Sequence, residues 1–197
     1  MKNKYKNNQK AIIILHEIYG VNEFINSQCQ KYKESGYDII CPNIIHRPPF
    51  LYEEATQAYE FFTKKIGFDV YKKVSDLVVQ LKESYSQVFI LGFSIGATIA
   101  FLCCENPLCS GIIACYGSRI RDYTTLNPAC PTLLLFAKKD TFDVGKLVHK
   151  LQNKQNLSML EFDGEHGFLD SFSSHYNPQQ TKLAEGAIAE FLWKHTH

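Results

Sequence analysis

The chain has 197 residues, 45% of them apolar and 21% charged, with a formal net charge of +1. That length fits one domain, 1–197, with a proper core. The near-neutral balance gives no reason to expect nucleic acid or a membrane surface as partner, and no apolar run approaches the roughly 18 residues of a membrane span.

Residues 1–10 form a polar lead-in, with Lys2, Lys4, Lys6 and Lys10 among Asn and Gln, read as a frayed terminus. The apolar run 11–15 is ended by His16-Glu17, too soon for a signal-peptide core. Further runs follow at 38–41, 87–91, 111–115, 132–137 and 158–162. Each is continuous rather than alternating, the pattern of strands buried on both faces of a parallel sheet. Between them, helical patterns cover 22–35, 52–65, 69–84, 95–105, 144–154 and 178–195, with Asn106-Pro107 stopping the fourth. The alternation predicts an α/β fold, a doubly wound and mostly parallel sheet of about six strands with helices on both faces and active groups at the carboxyl ends of the strands. The seven cysteines form no C-x-x-C pair. They read as buried apolar side chains in a reducing, cytoplasmic compartment, with neither a zinc site nor any cofactor implied.

The strand 87–91 runs into Gly92-Phe93-Ser94-Ile95-Gly96 and then into a helix of small and apolar residues. This is the G-x-S-x-G arrangement in which a serine sits on a sharp strand-to-helix turn with its hydroxyl exposed, making Ser94 the candidate nucleophile. In such a site the acid and then the histidine follow along the chain. Lys138-Lys139-Asp140 closes the strand two after the turn, so Asp140 is preferred as the acid; Asp143 remains the other candidate, and also suits the N-cap of the helix from Val144. Asp163-Gly164-Glu165-His166-Gly167 follows the last strand, and His166 is the candidate base. One oxyanion donor is the amide of Ile95, next after the nucleophile, and the other comes from the turn after the first strand, His16-Glu17-Ile18-Tyr19-Gly20.

Six strands in this order resemble the core of an α/β-hydrolase without its first two antiparallel strands and without a separate cap domain. The segments His-Glu-Ile-Tyr-Gly-Val-Asn (16–22), Gly-Tyr-Asp-Ile-Ile-Cys-Pro (36–42) followed by Arg47, Gly-Phe-Ser-Ile-Gly-Ala (92–97), Tyr116-Gly117, Lys139-Asp140 and Glu165-His166-Gly167-Phe168 together resemble the dienelactone hydrolase family. The resemblance implies a glutamate at Glu17 that contacts the nucleophile, an oxyanion donor at the amide of Ile18, and Tyr19 and Tyr116 as further site-shaping positions. Arg47 either approaches the pocket or pairs near the Pro48-Pro49 turn.

Two departures stand out. Family members acting on dienelactone use a cysteine where this chain has Ser94. They also clamp the substrate carboxylate with two arginines, whereas the stretch after His166 reads Gly167-Phe168-Leu169-Asp170. A bidentate carboxylate clamp is therefore not expected. The aromatic residues between His46 and Phe62 are read as packing. The expectation is a serine hydrolase, monomer or homodimer, with an open site for a small ester, thioester or lactone. Acyl transfer with the same triad and a non-catalytic ligand-binding protein are the alternatives.

Overall fold

The computed structural model describes residues 10–196. Six strands, β1 (Lys10–Leu15), β2 (Asp38–Ile40), β3 (Gln87–Phe93), β4 (Gly111–Cys115), β5 (Thr132–Lys139) and β6 (Leu157–Glu165), form one sheet in the order β2-β1-β3-β4-β5-β6. Every pairing is parallel, so the sheet is wholly rather than mostly parallel. Of the expected lead-in, residues 1–9 lie outside the described residues. Lys10 already pairs with Gln87, so the strand begins one residue sooner than its apolar pattern indicates.

Parallel neighbours need crossovers, and helices supply them. These are α1 (Glu23–Glu34), α2 (Ala55–Phe61), α3 (Tyr71–Leu81), α4 (Ile95–Leu102) and α5 (Val144–Leu151), with only a 3₁₀ turn at Ser118–Asp122 between β4 and β5, while α6 (Pro178–Thr196) follows the last strand. Side chains alternate between the two faces of a strand, which divides the core into two layers. Ile12, Ile14, Phe89 and Leu91 join Phe24 and Ile25 of α1 and Ile188 and Phe191 of α6. Ile13, Leu15, Val88 and Ile90 join Val74 and Val78 of α3, Ile99 of α4 and Leu147 of α5 on the other face. The expected helix 52–65 is broken into a 3₁₀ turn at Tyr52–Glu54, α2 and a π-helical turn at Phe62–Ile66, which Gly67 ends at φ 70°.

Burial on both faces holds for β1, β3 and β4 and for β5 up to Ala137, but not at the sheet margins. All of β2 is half-buried, and β6 exposes Ser158, Leu160, Glu161, Asp163 and Glu165, Leu160 to 41%. A continuous apolar run reports affinity for a core. It does not report that an outermost strand lies where the helical layers thin out.

One polar group inside this frame is structural. His16, at the end of β1, is fully buried. Its Nε2 accepts from the Ile44 amide at 2.9 Å, and its Nδ1 lies 2.6 Å from the Glu17 carbonyl oxygen. Nδ1 therefore carries the proton, and the neutral ring ties the end of β1 to the loop after β2. Burial drives its pKa from 6.5 down to about 4. The unfolded chain takes up a proton at this residue below pH 6.5 while the fold does not. Stability is therefore expected to fall by about 3 kcal/mol between roughly pH 6.5 and pH 4, with no contribution above that window. Urea unfolding across this range is expected to show a flatter pH slope for His16→Gln than for the unsubstituted chain.

Candidate active site

Because all strands run the same way, their carboxyl ends deliver five loops to one edge of the sheet: after β1, Glu17 to Tyr19; after β3, Ser94; after β4, Tyr116; after β5, Asp140; after β6, His166. All five loops border a cavity of about 730 Å³, the one after β4 through Ser118 and Arg119.

Ser94 stands between β3 and α4 at φ 52°, ψ −112°. A non-glycine residue in this region costs about 1–3 kcal/mol. The strain is held in place by two backbone bonds, from the Ser94 amide to the Cys115 carbonyl at 3.0 Å and from the Thr98 amide to the Ser94 carbonyl at 3.2 Å. The flanking glycines have separate duties. A Cβ on Gly92 would lie 2.1 Å from the Gly96 carbonyl oxygen across the turn, whereas one on Gly96 would lie 2.3 Å from the Leu15 carbonyl oxygen. Gly92 closes the turn, and Gly96 seats α4 against the end of β1.

Ser94 Oγ is 2.8 Å from His166 Nε2, and His166 Nδ1 is 2.8 Å from Asp140 Oδ2. The Asp140 side chain is 2% exposed and the His166 side chain 32%, so the carboxylate is sealed behind a ring that opens onto the cavity. Burial opposes charge on Asp140, but its hydrogen bonds with His166 and Thr141 outweigh that and hold its pKa below the usual carboxylate value. Burial likewise opposes the imidazolium, and here the Asp140 hydrogen bond and charge, helped by Glu17, prevail and raise His166. With Asp140 ionised, Nδ1 carries the ring proton and Nε2 is free to accept from Ser94. The pairing of β5 with β6 slips by one residue between Ala137 and Lys139, a bulge that sets the aim of the two loops immediately beyond it. Asp143 instead caps α5, accepting from the Lys146 amide at 3.0 Å.

Ile95 and Ile18 both border the cavity. The Ile95 amide opens α4, where no preceding turn supplies an acceptor, and the positive end of the helix faces Ser94. Glu17 is 5% exposed. Burial first, and then the Asp170 charge, push its carboxyl up to about 7. Tyr116 is fully buried at φ 45°, with its ring 5.1 Å from the His166 ring, and forms the floor under the imidazole. Tyr19 lies on the cavity wall against Tyr52, ring centroids 4.8 Å apart.

Arg47 does not reach the cavity. Its guanidinium stacks 3.6 Å over the Phe50 ring, and its Nε donates to the Pro48 carbonyl at 3.3 Å. The arginine at the cavity wall is Arg119, paired with Asp122 at 2.7 Å. Two further wall residues are joined to each other. Tyr52 donates to Asp170 Oδ2 at 2.5 Å and accepts from Asn22 Nδ2 at 3.1 Å, while Asp170 Oδ1 accepts from the Phe172 amide at 2.9 Å. Asp170 is thus a fully buried acid that ties the loop after β6 to Tyr52. Tyr52 and Tyr59, read as packing, also face it. Among the described residues there is no cluster able to hold a metal ion and no helix long and apolar enough to cross a membrane.

A family model, the dienelactone hydrolase family, matches residues 1–196. The uncharacterized protein YczH of Bacillus subtilis is 38% identical over 170 residues, 84% of each chain. Carboxymethylenebutenolidase 1 of Cupriavidus pinatubonensis is 22% identical over 197 residues, covering 92% of this chain and 84% of its own. Among solved structures, a Klebsiella pneumoniae protein provisionally described as a dienelactone hydrolase superposes with a TM-score of 0.81 at 19% identity, over 96% of this chain and 89% of that one. The metagenomic dienelactone hydrolase-like promiscuous phosphotriesterase P91 superposes with a TM-score of 0.73 at 11% identity, over 98% and 88%. These neighbours have the α/β-hydrolase fold.

Proposed function

This chain belongs to the dienelactone hydrolase family, and from that membership we propose that it is a serine hydrolase cleaving a small carboxylic ester, thioester or lactone through an acyl-enzyme. The observation that carries the reading is the unbroken hydrogen-bond chain from Ser94 through His166 to Asp140, opening onto the cavity.

A serine hydroxyl is barely ionised at neutral pH, so attack on a carbonyl carbon needs a base in contact with it. His166 Nε2 takes the Ser94 proton as Oγ bonds to the carbonyl carbon. Asp140 stabilises the resulting imidazolium and keeps the ring oriented. The amides of Ile18 and Ile95 receive the oxyanion, each worth about 3 kcal/mol of barrier. Collapse of the tetrahedral adduct expels the alcohol or thiol, which leaves with the proton held by His166. Water then repeats the sequence on the acyl-enzyme and frees Ser94. A cysteine in this position would bring its own thiolate. With serine, the work of ionisation falls on His166.

A fluorophosphonate probe tests the reading. It is expected to label the unsubstituted protein stoichiometrically at Ser94 and to leave Ser94→Ala unlabelled. Equal labelling of both, or none of either, refutes the proposal.

A further inference from the structure

The cavity beside Ser94 is unbalanced in charge. Glu17 and Asp170 are buried at its wall, and Asp140 is committed to His166. The cation on the wall, Arg119, is held by Asp122 at 2.7 Å. Two histidines also line the wall: His166, bonded to Asp140, and His175, whose Nε2 lies 3.6 Å from Glu165. Glu17 is pushed up by burial and then by the Asp170 charge, and Asp170 is raised by burial even though Tyr52 and the Phe172 amide donate to it.

The rest of the wall is aromatic. Tyr19 and Tyr52 meet at 4.8 Å between centroids and are inclined by 57°. Tyr59 stands on the same side, and Phe172, 48% exposed, stands at the mouth. Tilted aromatic faces around a carboxylate hold alkylammonium groups by cation–π attraction and charge together. An independent sign of a ligand is Thr98, on α4 one turn beyond Ser94. Its hydroxyl is wholly buried at the cavity wall and has no hydrogen-bond partner within the protein. A buried hydroxyl is stable only when bonded, and an oxygen of a bound ester would complete it.

We infer that this cavity selects esters whose acyl portion ends in an alkylammonium group, with Asp170 as the specificity-determining residue, Glu17 adding to the same field, and Tyr19, Tyr52 and Phe172 forming the walls around the cation. The inference rests on the serine hydrolase reading and names its substrate class. It reverses the polarity of a carboxylate clamp: where two arginines would receive an anion, Asp170 receives a cation.

The experiment uses three p-nitrophenyl esters of one acyl chain length, ending in trimethylammonium, in its neutral tert-butyl isostere, or in a carboxylate. A unit charge a few ångströms from a buried carboxylate changes affinity by about tenfold or more. kcat/KM is expected to be about tenfold higher for the ammonium ester than for the isostere, and lower again for the carboxylate. Asp170→Asn, which keeps the size and an acceptor for Tyr52, is expected to bring the ammonium-to-isostere ratio close to one. Tyr52→Phe removes the bond to Asp170 but keeps ring and charge, and is expected to leave that ratio above about fivefold. If the three esters react alike while the fluorophosphonate still labels Ser94, the charge selection is wrong and the hydrolase reading stands. A ratio lost equally in Tyr52→Phe and Asp170→Asn shows a structural strap rather than charge, and overturns the role given to Asp170. If no ester reacts and Ser94 is not labelled, the hydrolase reading fails and this inference falls with it.

Discussion

Ser94→Ala and His166→Ala are each expected to lower kcat on a p-nitrophenyl ester by roughly 10⁶-fold, with the double variant no worse than either single one. The two side chains act as one unit: without the base the hydroxyl stays protonated, and without the hydroxyl the base has nothing to activate. Asp140→Asn is expected to cost about 10⁴-fold, because an amide favours the wrong ring tautomer and cannot neutralise the imidazolium. Steady-state kinetics with burst analysis checks all four, and unchanged circular dichroism spectra separate lost chemistry from lost folding. The pH dependence follows from the same contacts. His166 must be neutral to accept the Ser94 proton, and its pKa is raised above 6.5. Activity is therefore expected to rise with pH through a midpoint above that value. Glu17 contributes to the upward shift, so Glu17→Gln is expected to move the midpoint down.

The second large effect concerns stability. Gly96→Ala is expected to cost about 3 kcal/mol or more. The added methyl would lie 2.3 Å from the Leu15 carbonyl and 2.6 Å from the His16 carbonyl, and a strand backbone in the middle of the sheet cannot move aside as the tip of a side chain can. Gly186, in the exposed part of α6, has nothing within 4 Å of the same methyl. Gly186→Ala is expected to stabilise by about 0.5–1 kcal/mol through helix propensity alone. Denaturant unfolding of the two variants should therefore show opposite signs for one chemical change. A loss below about 1 kcal/mol for Gly96→Ala would mean that α4 can slide away from β1.

What the sequence discloses about this fold is what local pattern encodes. The six apolar runs each became a strand, because a continuous run with turn residues at both ends has few other ways to bury itself. That Ser94, Asp140 and His166 come together was legible because each residue lies directly after a strand, and parallel strands place such residues at one edge. The margins were less legible: β2 is apolar enough to pass for an inner strand, and only Ser158, Glu161 and Asp163 within the β6 run hint that it lies at an edge, since which strand is outermost depends on pairing. Arg47 shows the same limit. A cation beside aromatic residues serves equally to stack on them or to face a ligand, and only packing decides between Phe50 and the cavity. Asp170 was visible as an acid where an arginine was anticipated. Its partner Tyr52 is 118 positions away, and no periodicity or spacing spans such a distance.

That separation has a consequence for how the site comes into being. A growing chain that has released β1 to β4 already holds the Ser94 turn, since β3, α4 and β4 are complete by Cys115. The histidine and the acid that bonds to Tyr52 emerge some fifty to fifty-five residues later, and α6 must still dock before Thr181 can donate to the Phe168 carbonyl and fix that loop. Assembly is thus governed by contacts distant along the chain, which form late and slowly. A chain released only as far as β4 carries the strained Ser94 turn without its partner, and the Ser94–His166 contact forms only once β6 has paired and α6 has docked.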